Sequence, residues 1–81
     1  ALPTYWQLQV GPLIIEDAKR MANQLRASGF KVFVEKTSDD AEEYFVMIGP
    51  KLSKERILMV KKTLQKEFAL ETQIFRYVYE D

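Results

Sequence analysis

The chain has 81 residues, and its twelve basic residues balance twelve acidic ones. That length suits one domain, and an apolar fraction of 47% supports a packed core rather than disorder. Zero net charge argues against a duplex-DNA binder or a polybasic membrane-surface module, because both draw their affinity from phosphate neutralisation.

There is no cysteine and no histidine. The first absence removes disulfides and thiolate metal sites. The second removes the commonest general base and metal ligand, and with it a Ser–His nucleophile at Ser38 or Ser53. A paired-carboxylate hydrolase is possible in principle, but no two carboxylates are convincingly placed and the expected fold offers no obvious deep cleft, so no cofactor and no enzymatic activity are expected. No stretch approaches the ~20 apolar residues of a membrane span, and no signal-peptide pattern is present. With Ala1 at its start, the chain reads as one domain over residues 1–81, either excised from a larger protein or a processed chain.

Tyr5 to Val10 alternates, with Trp6, Leu8 and Val10 on one side and Tyr5, Gln7 and Gln9 on the other. This predicts a half-buried strand. Gly11-Pro12 is expected to break it. A helix is predicted from Ile15 to Ser28, with Ala18, Met21, Ala22 and Leu25 as its apolar stripe. Its start lacks a capping side chain, and Gly29 stands where a left-handed C′ residue belongs. Phe30 to Lys36 predicts a second strand, and Thr37-Ser38-Asp39-Asp40 a turn. Glu43 to Ile48 predicts a third strand, which Gly49-Pro50 is expected to break. Ser53 caps a second helix, Lys54 to Phe68, whose stripe is Ile57, Val60, Leu64 and Phe68. Thr72 to Tyr79 predicts the last strand.

The order is β-α-β-β-α-β, with a Gly-Pro after the first strand of each half. Two such halves predict an α+β fold of the ferredoxin-like or RNP-like type. It is a four-stranded antiparallel sheet with both helices on one face and the other face open. By parity that open face carries Tyr5, Gln7, Gln9, Lys31, Phe33, Glu35, Phe45 and Met47. Exposed apolar groups beside amides suit a carbohydrate, whose C–H faces pack on rings while its hydroxyls pair with amides. The plain alternative is cross-strand pairing that merely stabilises the sheet. Asp39, Asp40, Glu42 and Glu43 lack the spacing of a calcium loop and read as a solvated turn. Lys61, Lys62 and Lys66 read as the wet face of the second helix. For the last strand, either Gln73, Phe75 and Tyr77 or Ile74, Arg76 and Val78 share the open face.

Trp6-Gln7-Leu8-Gln9-Val10-Gly11 resembles the opening motif of SPOR domains, an aromatic followed by an apolar-Gln-apolar-Gly run. Glu16-Asp17-Ala18, Met21-Ala22-Asn23-Gln24-Leu25 and Ser28-Gly29-Phe30 are similar to the helix that follows in that family. Tyr44-Phe45-Val46-Met47-Ile48-Gly49-Pro50 resembles its strand ending in Gly-Pro. The resemblance spans Tyr5 to Tyr77. It implies a module of a larger bacterial cell-envelope protein, periplasmic, that binds septal peptidoglycan, preferring glycan strands stripped of stem peptides. It also implies that glycan lies on the open sheet face, with Gln9 matching the family's strand glutamine. The chain departs from the family pattern at Pro12, Leu13 and Phe45, the last standing where an arginine is common.

The expected glycan-binding residues are Gln9, Gln7, Phe33, Phe45, Met47 and Tyr5, with Arg76 as a cation at the groove's edge. The expected partner is peptidoglycan glycan, bound by a monomer without nucleic acid or direct membrane contact. One alternative is a ferredoxin-like protein-interaction or regulatory domain using the same face. An RRM-type RNA binder shares the strand order, but the third strand lacks that family's basic-Gly-aromatic start.

Overall fold

The computed structural model describes residues 2–79. The elements are β1 (Thr4–Leu13), α1 (Ile15–Ala27), β2 (Val32–Lys36), β3 (Tyr44–Lys51), α2 (Lys54–Phe68) and β4 (Gln73–Val78). The strands form one antiparallel sheet in the order β2-β3-β1-β4. This is the expected ferredoxin-like arrangement. Leu8, Val10, Val32, Val46 and Ile48 of the sheet share one core with Ala18, Ala22 and Leu25 of α1 and Ile57 and Leu64 of α2. Both helices therefore cover the same sheet face.

Helix ends follow local chemistry. Ile14 opens α1 without a side-chain cap. At its other end Gly29 adopts φ 94°, its N–H donates to the Arg26 carbonyl, and the Phe30 N–H reaches the Leu25 carbonyl. That pair of bonds is a Schellman motif, and it turns the chain directly into β2. Ser53 caps α2 by accepting from the Arg56 N–H at 3.1 Å. At the far end Ala69 takes the left-handed position, at φ 52°.

Three sequence expectations need correction. The Gly-Pro dipeptides do not end their strands: β1 continues to Leu13 and β3 to Lys51. Both peptide bonds are cis, and Gly11 and Gly49 have φ of 126° and 117°. The β1–β3 register slips at each dipeptide and then resumes, at Leu13↔Tyr44 and Trp6↔Lys51. Each is thus a bulge, where the extra residue needs no ladder partner and proline's missing N–H does no harm. Glycine is required because the chains approach closely. A Cβ on Gly11 would lie 2.9 Å from the Tyr44 carbonyl oxygen, and one on Gly49 3.1 Å from that of Trp6.

The second correction concerns Lys61, which is not simply solvated. Its ammonium donates to the carbonyl oxygen of Thr72 and, at 3.1 Å, to the Thr72 hydroxyl. Thr72 is buried, so this lysine ties α2 to the start of β4. The third concerns Lys31, which precedes β2 instead of lying within it; its carbonyl accepts from the Gly49 N–H at the sheet's end.

Candidate functional site

Register fixes what the uncovered sheet face displays. Phe33, Met47, Gln9 and Gln73 stand side by side across β2, β3, β1 and β4. Gln7 stands opposite Phe75, Tyr5 opposite Tyr77, and Glu35 opposite Phe45. Side chains paired in this way have Cβ atoms ~5 Å apart. Six of the seven expected site residues therefore share one face: Tyr5, Gln7, Gln9, Phe33, Phe45 and Met47.

Arg76 does not join them. It pairs with Trp6, on the face covered by helices, so the proposed cation at the groove's edge falls on the wrong side of β4. Trp6 itself packs against the core, with the Lys54 ammonium 5.5 Å from its ring centre.

The open face is not flat and wet throughout, as parity alone suggests. Met47 is 1% exposed and Gln7 6%, while Phe33 and Phe75 are 39% and 37% exposed. Met47 nevertheless lies outside the core cluster beneath the helices. The face therefore has two levels, a trough in the sense that Met47 and Gln7 form a covered floor while the more exposed aromatic rings stand over it. Phe45 helps to build it, because its ring edge lies over Gly11, where a Cβ would meet Cδ1 at 3.2 Å.

Toward the end where β1 begins, the rings gather. Tyr5 and Tyr77 stack with centroids 5.2 Å apart, Tyr79 lies 4.7 Å from Tyr5, and Phe75 lies 6.4 Å from Tyr77. Burial in this cluster pushes the Tyr77 hydroxyl above its usual pKa, with smaller contributions from Glu35 and Tyr5.

Gln73, Phe75, Tyr77 and Tyr79 were not among the expected site residues. The signal was present: Phe75, Tyr77 and Tyr79 repeat at a strand's period of two, matching Tyr5 on the first strand. Pattern alone did not choose between the two parities of β4, and pairing with β1 does. Among the described residues, no group of acidic side chains is placed to hold a metal ion. Neither helix is long and apolar enough to cross a membrane.

Fold and site together define a ferredoxin-like domain with a trough of rings and amides on its uncovered sheet. The chain belongs to the SPOR domain family, whose model matches residues 2–71, nearly its whole length. SPOR domains are peptidoglycan-binding modules of the bacterial envelope, associated with cell division, and are binding modules rather than enzymes. No curated protein and no solved structure matches the chain.

Proposed function

We propose that this domain recognises septal glycan strands stripped of their stem peptides, and so directs a larger envelope protein to the division site. The trough carries the reading. Its exposed rings offer flat apolar surfaces for sugar C–H faces, and Gln9 and Gln73 lie side by side to pair with hydroxyl or acetamido groups. The rings and amides are uncharged, and the charged side chain that register puts beside them, Glu35, is acidic, which suits a neutral polymer better than a peptide rich in carboxylates. The buried floor holds the rings in place before binding, which reduces the ordering that binding requires.

The test is co-sedimentation with purified peptidoglycan sacculi, before and after an amidase removes the stem peptides. Stripping is expected to increase pelleting. Gln9→Ala and Phe45→Ala are each expected to weaken binding about tenfold, the size of one lost hydrogen bond or ring contact, with the fold intact. Tyr77→Ala belongs in the same series. A well-folded domain that pellets with neither preparation overturns the reading. Dimerisation through the trough would then be sought by sedimentation at increasing protein concentration.

A further inference from the structure

A second concave surface lies on the opposite side of the molecule, between the C-terminal cap of α1 and α2. Its outer part is a cavity of about 510 Å³ lined by Phe30, Lys51, Arg56, Met59, Val60 and Thr63. A contiguous inner part of about 260 Å³ runs beneath Gly29 and Gly49, reaching Ile48 and Ile57, with Lys31 at its side. Phe30 is held upright there by edge-to-face packing on Phe68, with centroids 5.8 Å apart. The apolar surface also continues beyond the cleft. Leu52, next to Lys51, is 75% exposed, and Met59 in the cleft's own lining is 69% exposed.

Charge around this cleft is one-sided. Lys31, Lys51 and Arg56 line it and no acidic side chain does. Among the described residues the one ion pair is Arg20 with Asp17, so these three cations have no ionic partner. The chain as a whole is neutral. An apolar cleft rimmed by unpaired cations calls for an occupant that brings apolar groups and negative charge together. The exposed Leu52 outside the cleft needs covering as well, so the occupant must extend past the cavity.

We propose that the α1–α2 cleft docks an acidic segment of a partner protein, inserting bulky apolar side chains beside Phe30 and Val60 while its carboxylates meet Lys31, Lys51 and Arg56. This surface and the trough lie on opposite sides of the sheet, so the domain holds a protein without giving up its glycan face.

The probe is a short fluorescein-labelled peptide carrying Phe-Leu between glutamates and aspartates. Two control peptides replace its acids with lysine or its Phe-Leu with serine. Vesicles of phosphatidylglycerol form a separate arm. The acidic peptide is expected to shift the amide NMR signals of Phe30, Met59, Val60 and Thr63 and to leave those of Gln9 and Phe45 in place. Either control peptide, or Arg56→Glu in the domain, is expected to weaken binding about tenfold. Lys51→Glu serves as the second variant, and preserved signal dispersion shows that each remains folded. The proposal is overturned if the peptide shifts nothing at millimolar concentration or shifts the trough instead. It is equally overturned if only the vesicles shift these signals, which would make the cleft a membrane contact.

Discussion

Ala69 sits at φ 52° where α2 ends, and the Leu70 N–H closes the turn on the Leu64 carbonyl. A left-handed backbone costs a residue with a Cβ about 1–2 kcal/mol, and glycine avoids that while giving back about 0.5–1 kcal/mol in chain entropy. Ala69→Gly is therefore expected to stabilise the domain by about 0.5–1 kcal/mol, read as a higher urea midpoint at unchanged slope. Gly11 presents the opposite case. Its φ of 126° and the 2.9 Å approach to a backbone oxygen leave no room for a methyl group. Gly11→Ala is expected to lose about 2 kcal/mol or more, because the obstacle is main chain and cannot rotate away. Tyr77 gives a pH signature. Its folded pKa is raised, so the unfolded chain releases this proton first as pH climbs. The stability Tyr77 contributes is present below the unfolded value near 10 and lost as pH rises through the folded value. Tyr77→Phe is expected to flatten that alkaline decline in a pH series of urea melts.

At the level of elements, the helices and the inward sheet residues were legible because both follow a simple period. Ala18, Ala22 and Leu25 lie in the core as the spacing of α1 predicts, as do Leu8, Val10, Val46 and Ile48 from strand alternation. The ends of β1 and β3 were not legible. A Gly-Pro pair ends most strands, and only pairing with a neighbour that slips by one residue lets these two continue. The candidate site divides in the same way. Parity placed Gln7, Gln9, Phe33, Phe45 and Met47 on one face, but depth within that face depends on neighbours, so Met47 and Gln7 emerged as floor. Arg76 was misplaced because a six-residue edge strand with rings at one parity and Ile74 at the other carries no internal signal of which side is inward. Lys61 was misread for a related reason: a lysine within a basic run looks solvated until the loop bearing Thr72 is brought against it. Lys61→Met keeps the apolar stem and removes the donors, leaving the buried Thr72 carbonyl and hydroxyl to find water. A loss of about 1–3 kcal/mol is expected, with the β4 amides showing the largest gain in hydrogen-exchange rate.

Across the whole molecule, neutrality conceals separation. Asp39, Asp40, Glu42 and Glu43 gather before β3, while Lys51, Lys54, Arg56, Lys61, Lys62 and Lys66 gather in and before α2, against two acids there, Glu55 and Glu67. The trough lies on the sheet face away from α2 and is built from rings, amides and a thioether with the Glu35 carboxylate beside them and, among the described residues, no cluster of cations, so salt should separate the two surfaces. Between about 0.1 M and 1 M NaCl the Debye length falls from ~10 Å to ~3 Å, which screens exposed charges and leaves ring and amide contacts nearly untouched. Pelleting with stripped sacculi is expected to change by less than about twofold over that range, while peptide affinity at the cleft falls about tenfold. Performed on one preparation, the two titrations report on separate surfaces. If salt instead releases the domain from stripped sacculi, the cations of α2 hold it to the wall. The trough would then lose its assignment as the glycan site, whatever the peptide does.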